Sequence, residues 1–121
     1  MELIDIIDAF DVVTTSANEI AWKLKDALSV LNQIGIKEHI VLGGDILTRD
    51  LSYTYDSWFY TTNSKLNLKE NSAQSIQAAS NYISYYMSLN GDNYYVVFVI
   101  KGQSKNTANT GDGSFNQGTV L

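Results

Sequence analysis

Residues 40–60, IVLGGDILTRDLSYTYDSWFY, constrain the fold more than any other stretch, because two runs rich in β-branched and aromatic residues flank a polar break at Arg49-Asp50. Runs of this length between breaks are too short for helices and read as the two antiparallel strands of a hairpin. A third run, Tyr94 to Lys101 (YYVVFVIK), is almost continuously β-branched or aromatic, the pattern of a central strand covered on both faces. It is expected between the hairpin and another edge.

Helical spacing fills the rest. Leu3, Ile4, Ile7 and Phe10 form one stripe while Glu2, Asp5 and Asp8 fall elsewhere, which predicts a short amphipathic helix over about 2–10. Ser16-Ala17-Asn18-Glu19 has the S-x-x-E form of a capping box, and Ile20, Leu24, Ala27, Leu28, Leu31 and Ile34 continue as an apolar stripe. This predicts a second helix over about 17–34, stopped by Gly35. Asn71 or Ser72 is a suitable cap for a third helix, about 72–89, with Asn90-Gly91-Asp92 as its stop. The expected fold class is α+β: an antiparallel sheet of three or four strands (hairpin about 40–60, strand about 94–101) packed against helices about 2–10, 17–34 and 72–89. Residues 1–101 form one domain in this reading. Residues 102–121 are a polar tail whose Gly, Ser, Thr, Asn and Gln bury too little surface to offset ordering entropy.

Composition removes several function classes. At 121 residues the chain is large enough for one core and needs no cofactor to fold; cysteine is absent, so there is no disulfide framework or thiolate metal site. His39 is the only histidine, which excludes multi-histidine metal centres, and no serine stands in a G-x-S-x-G context. Acidic residues at positions 2, 5, 8 and 11 oppose a secretory signal, and no apolar run approaches membrane-spanning length, so the expected location is the cytoplasm. A net charge of −5 repels a nucleic-acid backbone and attracts a basic partner.

An even-length loop around Arg49-Asp50 places Leu42, Gly44 and Ile46 with Tyr53, Tyr55 and Phe59 on the core side of the hairpin. Gly43 and Asp45 then share the other face with Thr54, Asp56, Trp58 and Tyr60. Two neighbouring carboxylates beside a Trp and a Tyr suit a surface that meets a basic partner. An odd-length loop exchanges the two aromatic sets. Gly43-Gly44-Asp45 also opens the signature of diguanylate cyclases, but the Glu and Phe that should follow are missing and the chain is too short for that domain. The glycines are better read as allowing a bulge or a close helix approach. The acid pairs Asp5/Asp8 and Asp45/Asp56 lack any accompanying catalytic motif.

In order along the chain stand Gly43, Gly44 and Asp45, then Tyr53, Tyr55, Asp56 and Trp58, then Tyr82 and Ile83, and a closing run at Tyr95 to Val99. This succession resembles the immunity protein 40 family of bacterial polymorphic-toxin systems. The resemblance implies a non-enzymatic protein that binds a cognate toxin domain and blocks its active site or substrate channel. Taken with the acidic and aromatic face read from the hairpin itself, this makes Asp45, Asp50, Asp56, Trp58 and Tyr60 the candidate toxin-binding residues. The chain's acidity suits a basic toxin such as a nuclease. No catalytic, cofactor-binding or metal-binding residue is assigned. The alternative reading is a small-molecule or nucleotide-binding regulatory domain whose pocket is lined by the aromatic hairpin.

Overall fold

The computed structural model describes residues 10–102. The expected helix 2–10, except for Phe10, and the tail 102–121, except for Gly102, lie outside the described residues. The elements are β1 (Val12–Thr14), β2 (Ile20–Lys23), a 3-10 turn (Leu24–Asp26), α1 (Ala27–Ile36), β3 (Val41–Leu47), β4 (Tyr53–Phe59), α2 (Leu68–Asn90) and β5 (Tyr95–Ile100). The strands form one sheet in the order β1-β2-β5-β3-β4, and every pairing is antiparallel. The α+β reading holds, with five strands in place of three or four.

Strand β5 lies at the centre, as its composition demands. Its Val96, Phe98 and Ile100 join Ile20, Trp22, Val41 and Ile46 in a core completed by Ala27, Val30, Leu31 and Ile34 of α1 and Ala79, Ile83 and Tyr86 of α2. Both helices therefore cover the same face. The intervening Val97 turns to the other face, where it packs with Ala21 and Leu47 and is only 1% exposed. Each large apolar side chain buried in this way contributes about 1.5–3 kcal/mol.

The first part of the expected helix 17–34 is instead strand β2 and its hairpin turn. Thr15 Oγ1 accepts hydrogen bonds from the amides of Ala17 (3.2 Å) and Glu19 (3.1 Å), and Asn18 takes a left-handed φ of 65°. This hydroxyl-capped turn out-competes the Ser16/Glu19 capping box and sends Ile20–Lys23 back along β1. Ile20 and Trp22 then face the helices while Ala21 faces away, an alternation hidden in the sequence because Ile20 and Leu24 also fit a helical stripe. Gly35 does not end the helix. It lies inside α1, where a Cβ would stand 3.3 Å from Ile76 of α2, so its lack of a side chain lets the two helices approach.

Helix α2 begins at Leu68, earlier than expected. Asn67 is the cap: its side chain accepts the Glu70 amide at 2.8 Å while Glu70 accepts the Asn67 amide at 3.0 Å. Asn71 and Ser72, the expected caps, are buried within the first turns. Ser72 Oγ donates to the His39 carbonyl (2.6 Å), and Ser75 Oγ accepts the Val41 amide (2.9 Å). Two small hydroxyls thereby fasten the helix to the start of β3.

Candidate functional site

The hairpin β3–β4 forms where the sequence places it, but its faces are exchanged. Between Leu47 and Tyr53 lie the five residues 48–52, an odd-length loop closed by the Ser52 amide on Thr48 Oγ1 (3.1 Å) and by Leu51 at φ 67°. Residues of equal parity consequently share a face. Gly44 pairs with Trp58, Gly43 with Phe59 and Asp45 with Ser57.

Trp58 thus points toward the helices. Its ring stacks on Tyr82 of α2 at a centroid distance of 5.0 Å and meets Phe98 edge-on at 6.2 Å. The indole lies across Gly44: a Cβ there would be 2.5 Å from Trp58 Cη2 and 2.7 Å from the Val97 carbonyl oxygen. On Gly43, with φ 153°, a Cβ would be 2.3 Å from the Trp58 carbonyl oxygen, next to a bulge where the β3–β5 register shifts. The Gly-Gly pair therefore adjoins a bulge, as expected, while the close approach at Gly44 is that of an indole and a neighbouring strand and not of a helix.

Asp56 accepts the Tyr86 hydroxyl at 2.9 Å, on the helix side, whereas Asp45 lies in register with Ser57 and Val97 and faces the opposite way. The expected Asp45/Asp56 pair on one face does not exist. Burial, then the hydrogen bond to Asp56, pushes the Tyr86 phenol up to about 12. Tyr82 is also raised, first by burial and then by the Asp56 charge. Tyr60 donates to Asn71 Oδ1 at 2.7 Å, and the same Asn71 oxygen accepts the Asn63 amide at 2.8 Å. The Asn71 amide group donates to the carbonyls of Asn63, Leu66 and Asn67, so this buried side chain organises the loop before α2. Tyr60 is engaged in structure. Asp50 sits in the exposed loop, where the Thr48 hydroxyl, and after it Ser52, holds its carboxyl below the ordinary value.

The side chains left facing solvent are those the even-loop reading had assigned to the core. Tyr55 is 93% exposed, Phe59 82% and Tyr53 43%. Tyr53 donates to Glu19 Oε1 at 2.6 Å, and that bond, ahead of burial, pushes its phenol up to about 12. Loop parity was the signal that could have assigned these residues.

Tyr55 occupies a second irregularity. Asp45 pairs with Ser57 and Leu47 with Tyr53, so Ile46 alone stands opposite Thr54, Tyr55 and Asp56. Two extra residues leave the alternation in phase on either side of the bulge. Tyr55 adopts φ 70°, a left-handed conformation that costs a non-glycine residue roughly 1–2 kcal/mol.

Two hollows lie elsewhere. One of about 540 Å³ runs between α1 and α2 past Asn32, Ile36, Lys69 and Ile76; another of about 350 Å³ is lined by Lys23, Lys25, Arg49, Asp92, Tyr94 and Tyr95. Neither takes a wall from the aromatic side chains of the hairpin. Among the described residues no group of three or more His, Asp or Glu side chains could hold a metal ion, and no helix is long and apolar enough to cross a membrane.

An antiparallel sheet with both described helices on one face and an aromatic edge strand on its rim defines the architecture as α+β. The chain belongs to the Immunity protein 40 family, which it matches over residues 7–100. Membership implies an immunity protein of a toxin system, with a toxin as its partner. No curated protein and no solved structure matches the chain.

Proposed function

We propose that this chain binds a cognate toxin domain inside the producing cell and neutralises it by covering its active site or substrate channel, using the outward side of the β3–β4 hairpin. The observation that carries this reading is the exposure of Tyr53, Tyr55 and Phe59 on an edge strand, in a hairpin that holds Asp45, Asp50 and Asp56 against one base, Arg49. Exposed aromatics in a hairpin that also carries carboxylates are the composition of an interface hot spot with a charge-matched rim. The net charge of −5 supports a basic toxin, such as a nuclease, because an acidic inhibitor can occupy a surface meant for phosphates and is drawn to it before contact. The role is binding rather than catalysis. Of the five residues first assigned to the interface, Asp45 and Asp50 stay on it, while Asp56, Trp58 and Tyr60 act mainly by shaping the hairpin from behind.

The test is recovery of the tagged full chain from its own cells, followed by co-expression of the retained partner with and without the chain. One partner held at one-to-one stoichiometry, toxic alone and harmless beside the chain, is the expected result. Recovery of the chain alone from cells shown to express the toxin would refute the reading.

A further inference from the structure

Tyr55 combines three properties that the fold does not need together. Its backbone is held at φ 70°, its side chain is 93% exposed, and both neighbours are tied down. Thr54 Oγ1 donates to the Ile46 carbonyl at 2.8 Å and accepts the Asp56 amide at 3.0 Å, and the Asp56 carboxylate receives the Tyr86 hydroxyl at 2.9 Å. The bulge is thus fixed by Thr54 and Asp56, whereas the ring between them covers almost nothing. A position chosen only for its backbone would carry glycine or asparagine, which enter the left-handed region more readily. Strain retained at an exposed residue, with its surroundings holding it in place, is characteristic of ligand clamps.

We propose that Tyr55 is a pre-positioned anchor that inserts its ring into a pocket on the toxin domain, with a basic rim of that pocket facing Asp45 and Asp50, the carboxylates the hairpin keeps on its outward side. This rests on the toxin-binding reading above. A tyrosine suits the role because it offers a large amphipathic surface with only two side-chain torsions to immobilise, and the fixed bulge removes the backbone's share of the ordering cost. The alternative use of the bulge is to prevent another strand from pairing with the edge that β4 forms among the described residues. Glycine or asparagine at position 55 would serve that purpose equally well.

The experiment uses the purified toxin domain that the full chain retains and suppresses, titrated calorimetrically with the wild type, Tyr55→Gly, Tyr55→Asn and Tyr55→Phe, with a thermal melt of each. Tyr55→Gly and Tyr55→Asn are expected to melt no lower than the wild type, since both relieve the strained backbone, while affinity falls by roughly 30-fold or more. Tyr55→Phe should retain most of the affinity. Unchanged affinity in the Gly and Asn variants would overturn the anchor and leave the immunity reading standing. A lower melting temperature in both would also overturn it, by showing that the ring supports the fold. If the wild type binds no toxin domain, the immunity reading fails and the anchor with it.

Discussion

Trp58 and Phe59 are adjacent in sequence, yet one is locked between Gly44, Tyr82 and Phe98 while the other is 82% exposed. The same division separates Asp56 and Tyr60, which accept from or donate to side chains of α2, from Asp45 on the other face. The helix side of the hairpin is engaged in aromatic stacking, a phenol–carboxylate bond and an asparagine that stitches a loop, although the buried Trp58 indole N–H has no partner among the described residues. The outward side has large apolar surface still in water. Strand alternation thus separates one aromatic cluster into a structural half and a half available to a partner, and residue type alone does not reveal which half is which.

The most severe way to break this division is Trp58→Ala. Removing an indole that fills the space above Gly44 should cost about 3–5 kcal/mol, measured by chemical denaturation. Gly44→Ala approaches the same contact from below, and with backbone at 2.7 Å and the indole at 2.5 Å from the added methyl it should cost about 1–3 kcal/mol. A stability within about 0.5 kcal/mol of wild type in both variants would show that the indole is not seated as described.

Phe59→Ser probes the other half. It removes an exposed ring from an edge strand, so the denaturation midpoint should stay within about 0.5 kcal/mol of wild type, while binding of the retained toxin domain weakens by about 2 kcal/mol, as at interface hot spots. Loss of folding without a specific loss of binding would reverse the assignment of the two faces. A double variant, Tyr53→Ser with Phe59→Ser, that still protects cells from the toxin would remove the outward hairpin from the interface altogether.

Strand β5 was legible because seven consecutive apolar or aromatic residues, Tyr94 to Ile100, leave a central position as the one that buries both faces. The hairpin was legible for the same reason of composition. Its facing was not, because it depends on whether four, five or six residues form the turn, and Thr48 and Ser52 read equally well as strand ends or as loop. Strand β2 was lost to a coincidence of periods: Ile20 and Leu24 fit a helical stripe, and the turn that prevents the helix rests on one hydroxyl, Thr15 Oγ1. The helix-to-sheet fastening by Ser72, Ser75 and Asn71 was equally hidden, since polar residues at these positions read as solvent-facing until the fold brings His39, Val41 and Tyr60 against them. The candidate site depends on the same facing: an even loop gives Trp58 and Asp56 to the partner and Phe59 and Tyr55 to the core, and the observed five-residue loop exchanges them.

The finest comparison of the two sides uses their phenols. Tyr86 donates to Asp56 behind the hairpin and Tyr53 donates to Glu19 in front of it, and both are raised to about 12 against an ordinary value near 10. A raised value means that the folded protein holds each proton more tightly than the unfolded chain does. The stabilisation is therefore complete below about pH 10 and is lost as pH rises toward 12, where ionisation would set a phenolate beside a carboxylate. Both bonds lie in partly buried surroundings, so each carboxylate acts on its phenol without full screening by water. Melting temperature should accordingly fall between pH 10 and 12, and Tyr86→Phe and Tyr53→Phe should each remove part of that fall. A variant that leaves the fall unchanged would show that its phenol does not hold its proton against the neighbouring carboxylate.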